Sequence, residues 1–253
     1  MPRNITARLG TTLRTTTVAG LLAAVTATTG AALAAGQAHA ATGPDKARTA
    51  PAAAQVQPAA LTYGQDVSAY QAEHDWNASP AGFGIVKATE GLTFKDGSFA
   101  RHWGELNKKG IVRGAYHYGH PGNAPVAEAE HFLSVVNGQP GKAGDLMVLD
   151  LETTDGKSAA EVNAWAKSWL SHVKTKTGVA PMFYSGWDFA DTHGAGLSEY
   201  PLWVAHYGKA QGAVKPPADW KTWTIHQYSD KPIDQNVSNL TPDRLRSLGR
   251  PAA

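Results

Sequence analysis

From Thr62 onward, short apolar runs alternate with stretches of helical periodicity. Thr62–Ser68 and Gly82–Ala88 read as a first and a second strand. Phe99, Trp103 and Leu106 fall on one face of a helix over Phe99–Lys109, with Gly110 placed to cap its C-terminus. Ile111–Tyr118 follows as a third strand, stopped by Gly119 and Pro121, and Pro125–Val136 as a second helix. The run Leu146–Glu152 carries four apolar residues straight into Asp150 and Glu152, then breaks at a turn. Such a run reads as a strand buried on both faces. Ser158–Lys176 is the longest helical stretch, with Val162, Trp165, Trp169 and Val173 at helical spacing and Ser158 and Glu161 set as a capping box. Ala180–Ser185 is a fifth strand.

Strand-then-helix repetition is the signature of an α/β protein with a parallel sheet. After Ser185 the helices fade. Leu202–Tyr207 and Trp223–Tyr228 read as further strands, and a last one begins near Ile233. The connection before it is too short for a parallel crossover, so this strand is expected to run antiparallel. About eight strands point to a reduced, TIM-like β/α barrel whose helices are missing in the last third. On that plan four carboxylates, Asp66, Asp150, Glu152 and Asp234, converge on one rim from strands one, four and eight.

Strand alternation puts Asp150 and Glu152 on the same face, about 6.6 Å apart at Cα. Two acids that close repel each other, so one is expected to hold a proton near neutral pH. A protonated carboxyl beside a charged one is the arrangement glycosidases use. Strand-end acids that cap the next helix or bind a cation would leave the same trace.

Composition changes the picture mainly at the N-terminus. Arg3, Arg8 and Arg14 are the only charges before Asp45, Val18–Ala35 is apolar or small apart from Thr and Gly, and Ala38-His39-Ala40 offers a small-x-small site. Residues 1–40 therefore read as a secretory signal peptide cleaved after Ala40, which makes the protein secreted and extracellular. Its removal takes three of the 23 Lys and Arg and none of the 21 Asp and Glu, leaving the rest near −1. Nothing in that balance asks for nucleic acid or a membrane surface. Residues 41–60, rich in Ala, Pro and Gln, read as a flexible linker, and 61–253 as one catalytic domain. The chain has no cysteine, which excludes thiol catalysis and cysteine-ligated zinc.

Asp66-Val67-Ser68 with Gln71, Lys87-Ala88-Thr89-Glu90-Gly91, Ala115-Tyr116-His117-Tyr118, Asp150-Leu151-Glu152, Tyr184-Ser185, Trp203 to Tyr207, Gln227-Tyr228 and Asp234-x-Asn236 occur in that order. In these pieces the chain from about Thr62 to Leu248 resembles the glycoside hydrolase family 25 lysozymes. The resemblance implies a similar reduced barrel, peptidoglycan glycan strands as partner, and hydrolysis of the β-1,4 bond between N-acetylmuramic acid and N-acetylglucosamine. By the same resemblance Glu152 is the proton donor and Asp150 its partner near the N-acetyl group. Asp66 and Asp234 would line the subsite and tune both.

Tyr116, Tyr118, Tyr184, Trp203, Tyr207 and Tyr228 fall at strand ends, where a ring can stack on a sugar. Tyr116, Tyr118 and Tyr184 are the foremost candidates. Trp103, Trp165 and Trp169 belong to helices and are expected in the core. Lys87 reads as the partner of a rim carboxylate, Glu90 as a cap. The scattered histidines, His117 and His120 included, form no metal motif, so no cofactor or metal is expected. The domain is expected to act as a monomer. Three other readings stand beside the muramidase. A chitinase-like glycosidase is counted against by Val148 where its motif needs an acid. A non-catalytic wall-binding module is counted against by the intact Asp150 and Glu152. A zinc-dependent wall amidase or peptidase would be exposed by chelators.

Overall fold

In a computed structural model, residues 60–251 are described. The expected signal peptide and all but the last residue of the expected linker lie outside the described residues. The strands are β1 (Thr62–Val67), β2 (Phe83–Glu90), β3 (Phe94–Lys95), β4 (Val112–Tyr118), β5 (Leu146–Asp150), β6 (Met182–Gly186), β7 (Leu202–Ala205), β8 (Ile225–Ser229) and β9 (Asp234–Ser238). The helices are α1 (Phe99–Lys109), α2 (Pro125–Asn137), α3 (Ala159–Thr177), α4 (Trp187–His193) and α5 (Pro242–Arg246).

The sheet closes on itself. Its order is β1-β9-β8-β7-β6-β5-β4-β2, and β1 pairs again with β2. All neighbours are parallel except β9, which runs antiparallel to both β8 and β1, as its short connection requires. The two-residue β3 only folds back on the end of β2. This is the reduced barrel expected from the sequence. Beyond β6 the described residues add two short helices, the seven-residue α4 and the five-residue α5. The helix ends follow local chemistry. Gly110 closes α1 in the left-handed region at φ 76°, and Ser158 and Glu161 complete the capping box of α3.

Two apolar layers result. Phe83, Ile85, Val148, Met182 and Ile225 fill the barrel, and Leu245 of α5 plugs it among them. Burying a leucine in this way stabilises the fold by roughly 1.5–3 kcal/mol. Gly64 faces the same interior because a Cβ there would meet the Phe83 ring. Trp103, Trp165 and Trp169 are buried between the barrel and its helices, as expected.

Two irregularities re-aim side chains at the rim. The β2–β4 register shifts at Ala88, so that Lys87 pairs with Tyr116 and Glu90 with Tyr118. The extra residue of this bulge puts Lys87 and Glu90 on one face, where they form a 2.6 Å ion pair. Thr89 turns outward and meets His117 Nδ1 at 2.8 Å. A second shift, at Tyr228, lies between Gln227 and Ser229.

Candidate active site

Neighbouring registers carry one inward layer around the rim. Asp150 pairs with Tyr184, Tyr184 with Trp203, Gln227 with Asn236, and Asp66 with Asp234. They surround a cavity of about 190 Å³ lined by Asp66, Tyr116, Asp150, Glu152, Tyr184, Trp203, Tyr207, Gln227 and Asp234. All four acids singled out in the sequence therefore meet at the end of the barrel where the parallel strands finish. So do four of the six aromatics. The other two stand elsewhere. Tyr118 is above Tyr116, with its ring 5.3 Å from Lys87 Nζ and 5.4 Å from the His120 ring. Tyr228 alternates away from the inward Gln227, with its ring 6.3 Å from that of His226.

The strand that leads into the site is shorter than the Leu146–Glu152 run. β5 ends at Asp150, and the Leu151 amide donates to Tyr184 O at 3.0 Å before the chain leaves the sheet. Glu152 thus sits on a loop at the solvent-open mouth, while Asp150 is 7% exposed on the floor. Both line the same cavity, close enough for the charge of one to act on the other. Burial pushes Asp150 well above the usual carboxylate range, and the charge of Glu152 adds to the effect; the Lys87 ammonium opposes both. Recessed between the cavity walls, Glu152 is raised as well by the loss of surrounding water.

Asp66 and Asp234 form a second acid pair across the antiparallel β1–β9 ladder. Burial, reinforced by Asp234, pushes Asp66 up to about 8. Asp234 is raised by burial and then by Asp230. Like charges directly opposite on a ladder repel, and a shared proton removes the conflict.

The amides of Gln227 and Asn236 hold Asp66 in place. Gln227 Nε2 and Asn236 Nδ2 donate to its Oδ2 at 2.9 and 2.6 Å. Tyr184 and Tyr207 each donate to Gln227 Oε1 at 2.8 Å, and Trp203 Nε1 donates to Asn236 Oδ1 at 2.8 Å. Both amides stood in the motifs that carry the family resemblance, but neither was given a role there. The signal for a role was inward alternation on β8 and β9, which has meaning only once the register is known.

Lys87 pairs with Glu90, and His120 Nε2 lies 3.1 Å from the other Glu90 oxygen. His120 also reaches Asp155, three residues beyond Glu152. His117 is fully buried, 2.8 Å from Glu128 Oε2. Among the described residues no group of three or more His, Asp or Glu is arranged to hold a metal ion.

Two facing pairs of carboxyls, each able to share a proton at the carboxyl end of a reduced β/α barrel, define a glycoside hydrolase. Comparison with known proteins agrees. The model of glycosyl hydrolases family 25 matches residues 65–237. An uncharacterised protein of Escherichia coli K12, YegX, is 36% identical over 74% of this chain and 72% of its own length. An N,O-diacetylmuramidase of Arthroderma benhamiae is 32% identical over 74% of this chain and 86% of its own. The solved structure of a family 25 lysozyme from Aspergillus fumigatus superposes with a TM-score of 0.68 at 30% identity, covering 76% of this chain and all of that one. The chain belongs to glycosyl hydrolase family 25.

Proposed function

We propose that the protein is a secreted N-acetylmuramidase, a lysozyme that cleaves the β-1,4 bond between N-acetylmuramic acid and N-acetylglucosamine in bacterial peptidoglycan. The observation that carries this reading is the Asp150–Glu152 pair at the centre of a polar, aromatic-walled cavity, in a chain whose relatives include an N,O-diacetylmuramidase and a lysozyme. Glu152, at the open mouth, delivers its proton to the leaving glycosidic oxygen. Asp150 ionises and stabilises positive charge on the substrate's N-acetyl group; its Oδ1 is buried without a hydrogen-bond partner, free to receive the acetamido N–H. Asp66 and Asp234 hold a further proton and set the field at the subsite. Tyr116, Tyr184, Trp203 and Tyr207 form its walls.

Two residues apart at the end of β5 and lining one cavity, Asp150 and Glu152 leave little space between them for the water that an inverting enzyme activates, which needs about 6.5–9.5 Å. The acetamido oxygen of the substrate is therefore the nucleophile, and the β-configuration is retained through an oxazolinium-like intermediate. Turbidity loss of purified cell walls, with chemical identification of the new reducing ends, tests the activity. Proton NMR on a defined glycan, read before mutarotation, tests the stereochemistry. New N-acetylglucosamine reducing ends would overturn the bond assignment, and first release of the α-anomer the mechanism. Secretion is tested by the intact mass from culture supernatant, expected to begin after Ala40.

A further inference from the structure

Glu152 rides on the loop of residues 151–158, which leaves the sheet between β5 and α3. The loop is fixed at its start. The Leu151 amide donates to Tyr184 O, and Ser185 Oγ donates to Leu151 O at 2.6 Å. Beyond Glu152, Thr153 and Thr154 bond locally, to Asp155, Gly156 and Lys157. The next tie to the rest of the barrel is Asp155. It stands at φ 47° and Gly156 at φ 77°, a left-handed turn that aspartate tolerates better than most residues. Its Oδ2 accepts from the Gly122 amide at 3.0 Å and lies 3.3 Å from His120 Nδ1. A Cβ on residue 122 would stand 3.3 Å from that oxygen, so glycine leaves the approach open.

His120 faces a second acid with its other nitrogen. Nε2 lies 3.1 Å from Glu90 Oε1, and the other Glu90 oxygen holds the Lys87 ammonium at 2.6 Å. From β4 the Tyr118 ring stands 5.4 Å from the imidazole. From α2 the buried Glu128, with His117 behind it, accepts from the His120 amide at 3.1 Å and from Asn123 Nδ2 at 2.7 Å. That fixes the segment carrying His120, and strand pairing fixes Glu90 beside Tyr118. Carboxylates at both ring nitrogens are matched by an imidazolium, which donates from each. A neutral ring has one N–H and would turn a lone pair on the other acid. Burial lowers His120, but the hydrogen bonds to Glu90 and then Asp155 outweigh it and hold the ring above its ordinary 6.5. A lone ion pair this exposed contributes little; a network of four charged groups can hold a geometry.

We propose that His120 is a positioning residue: as an imidazolium it clasps Asp155 to Glu90, and so holds the far end of the Glu152 loop against β2 and keeps Glu152 at the cavity mouth. The inference rests on Glu152 being the proton donor. It adds that the donor's placement depends on a second proton, held on a ring that does not line the cavity.

The test is steady-state kinetics on a soluble glycan fragment, at temperatures where each variant is folded. His120→Ala lowers kcat by about 10–100-fold and leaves KM within about twofold, because a misplaced donor costs catalysis rather than binding. Asp155→Asn keeps the turn and the Gly122 bond but loses the charge, and lowers kcat less. The double variant falls no further than His120→Ala, since both changes open one clasp. His120→Arg keeps a two-sided donor that does not titrate. The ratio of wild-type kcat to that of His120→Arg cancels the titrations of Asp150 and Glu152, which both proteins share. It falls as pH rises through the His120 midpoint, read separately by nitrogen-15 NMR of the ring. A ratio that is flat with pH, or a kcat near wild type in His120→Ala, overturns the proposal. So does a raised KM at unchanged kcat, which would place His120 in substrate binding. If His120→Ala does not fold, the kcat of Asp155→Asn and the pH-dependent ratio decide. Near wild-type hydrolysis by Glu152→Gln would overturn the donor assignment instead, a separate result.

Discussion

Strand β5 has a buried aspartate at each end, and the two live in opposite chemistry. Asp145, immediately before the strand, is fully buried and fully met. Its oxygens accept from Arg113 Nε at 2.7 Å and Nη2 at 2.9 Å, and from the Lys142 amide at 2.8 Å. The guanidinium is satisfied in turn by the carbonyls of Trp103 and Pro140, and lies 3.9 Å from the Trp103 ring centroid. Asp150, at the other end, is almost as buried, yet one oxygen has no partner and the charged group that acts on it most strongly is another acid. Burial is the same; the partners differ. An acid with a bidentate cation holds structure, whereas an acid left with an acid stores a titratable proton and an open acceptor. The functional end of the barrel is recognised by what it lacks.

That contrast is broken most sharply by removing the working partner of each aspartate. Glu152→Gln keeps the shape of the side chain but delivers no proton, so hydrolysis of cell walls is expected to fall by about 10²–10⁴-fold. Its melting temperature should hold, because the neutral amide keeps the shape of the protonated side chain it replaces. Arg113→Met should do the reverse. It strands Asp145 as an uncompensated buried charge, at a cost of roughly 3–5 kcal/mol in denaturant unfolding. The surviving folded fraction should keep its turnover. Adding Asp145→Leu to Arg113→Met should recover most of the loss, since an apolar pair can replace a buried ion pair. A large stability loss in Glu152→Gln, or none in Arg113→Met, would remove the distinction between the two ends.

The difference was only half legible in the sequence. Periodicity sufficed for the first three helices, as where Phe99, Trp103 and Leu106 lie on one face and Gly110 marks the stop, but the short α4 and α5 carry too few turns to show it. The antiparallel β9 followed from a loop too short to cross over. Asp66, Asp150, Glu152 and Asp234 were found because acids at the ends of apolar runs are unusual. What stayed hidden depends on pairing. The bulge at Ala88, which brings Lys87 and Glu90 together, exists only relative to β4. The partnership of Arg113 with Asp145 spans 32 residues of chain, and nothing local announces it. Gln227 and Asn236 are ordinary amides until the register turns them inward against Asp66. β5 stops at Asp150 rather than Glu152, a boundary that local residue pattern does not set.

A smaller effect separates the second acid pair from an ordinary buried carboxyl. Asp66 titrates near 8 in the fold, against an ordinary value of 3.8, because of burial and then Asp234. Between those values the folded protein holds a proton that the unfolded chain has released. Its contribution to stability therefore falls as pH rises from about 4 to about 8, and levels off above that. Asp66→Asn removes the titration while its amide still donates to Asp234. Melting temperatures measured across that window should decline less steeply in Asp66→Asn than in the wild type. An unchanged slope would mean that Asp66 is already ionised at neutral pH.

The finest contrast lies between two tyrosines near the C-terminal strands. Tyr207 is 48% exposed at the cavity lip, with its hydroxyl on Gln227 Oε1 at 2.8 Å. Tyr228 is on the other side of the barrel wall, beyond the register shift that follows Gln227. Tyr207→Phe keeps the ring for a sugar to stack on but removes one hydrogen bond, worth about 0.5–1.5 kcal/mol. A rise in KM of up to about tenfold is expected, with kcat reduced less, because Tyr184 still holds the other lone pair of Gln227 Oε1. Tyr228→Phe should leave KM and kcat within about twofold of the wild type, as for a substitution away from the site. Steady-state kinetics on a soluble glycan fragment distinguishes them. Equal effects from the two variants would mean that ligand reaches across the rim to the outer face, and that the cavity defined by the inward layer is only part of the binding surface.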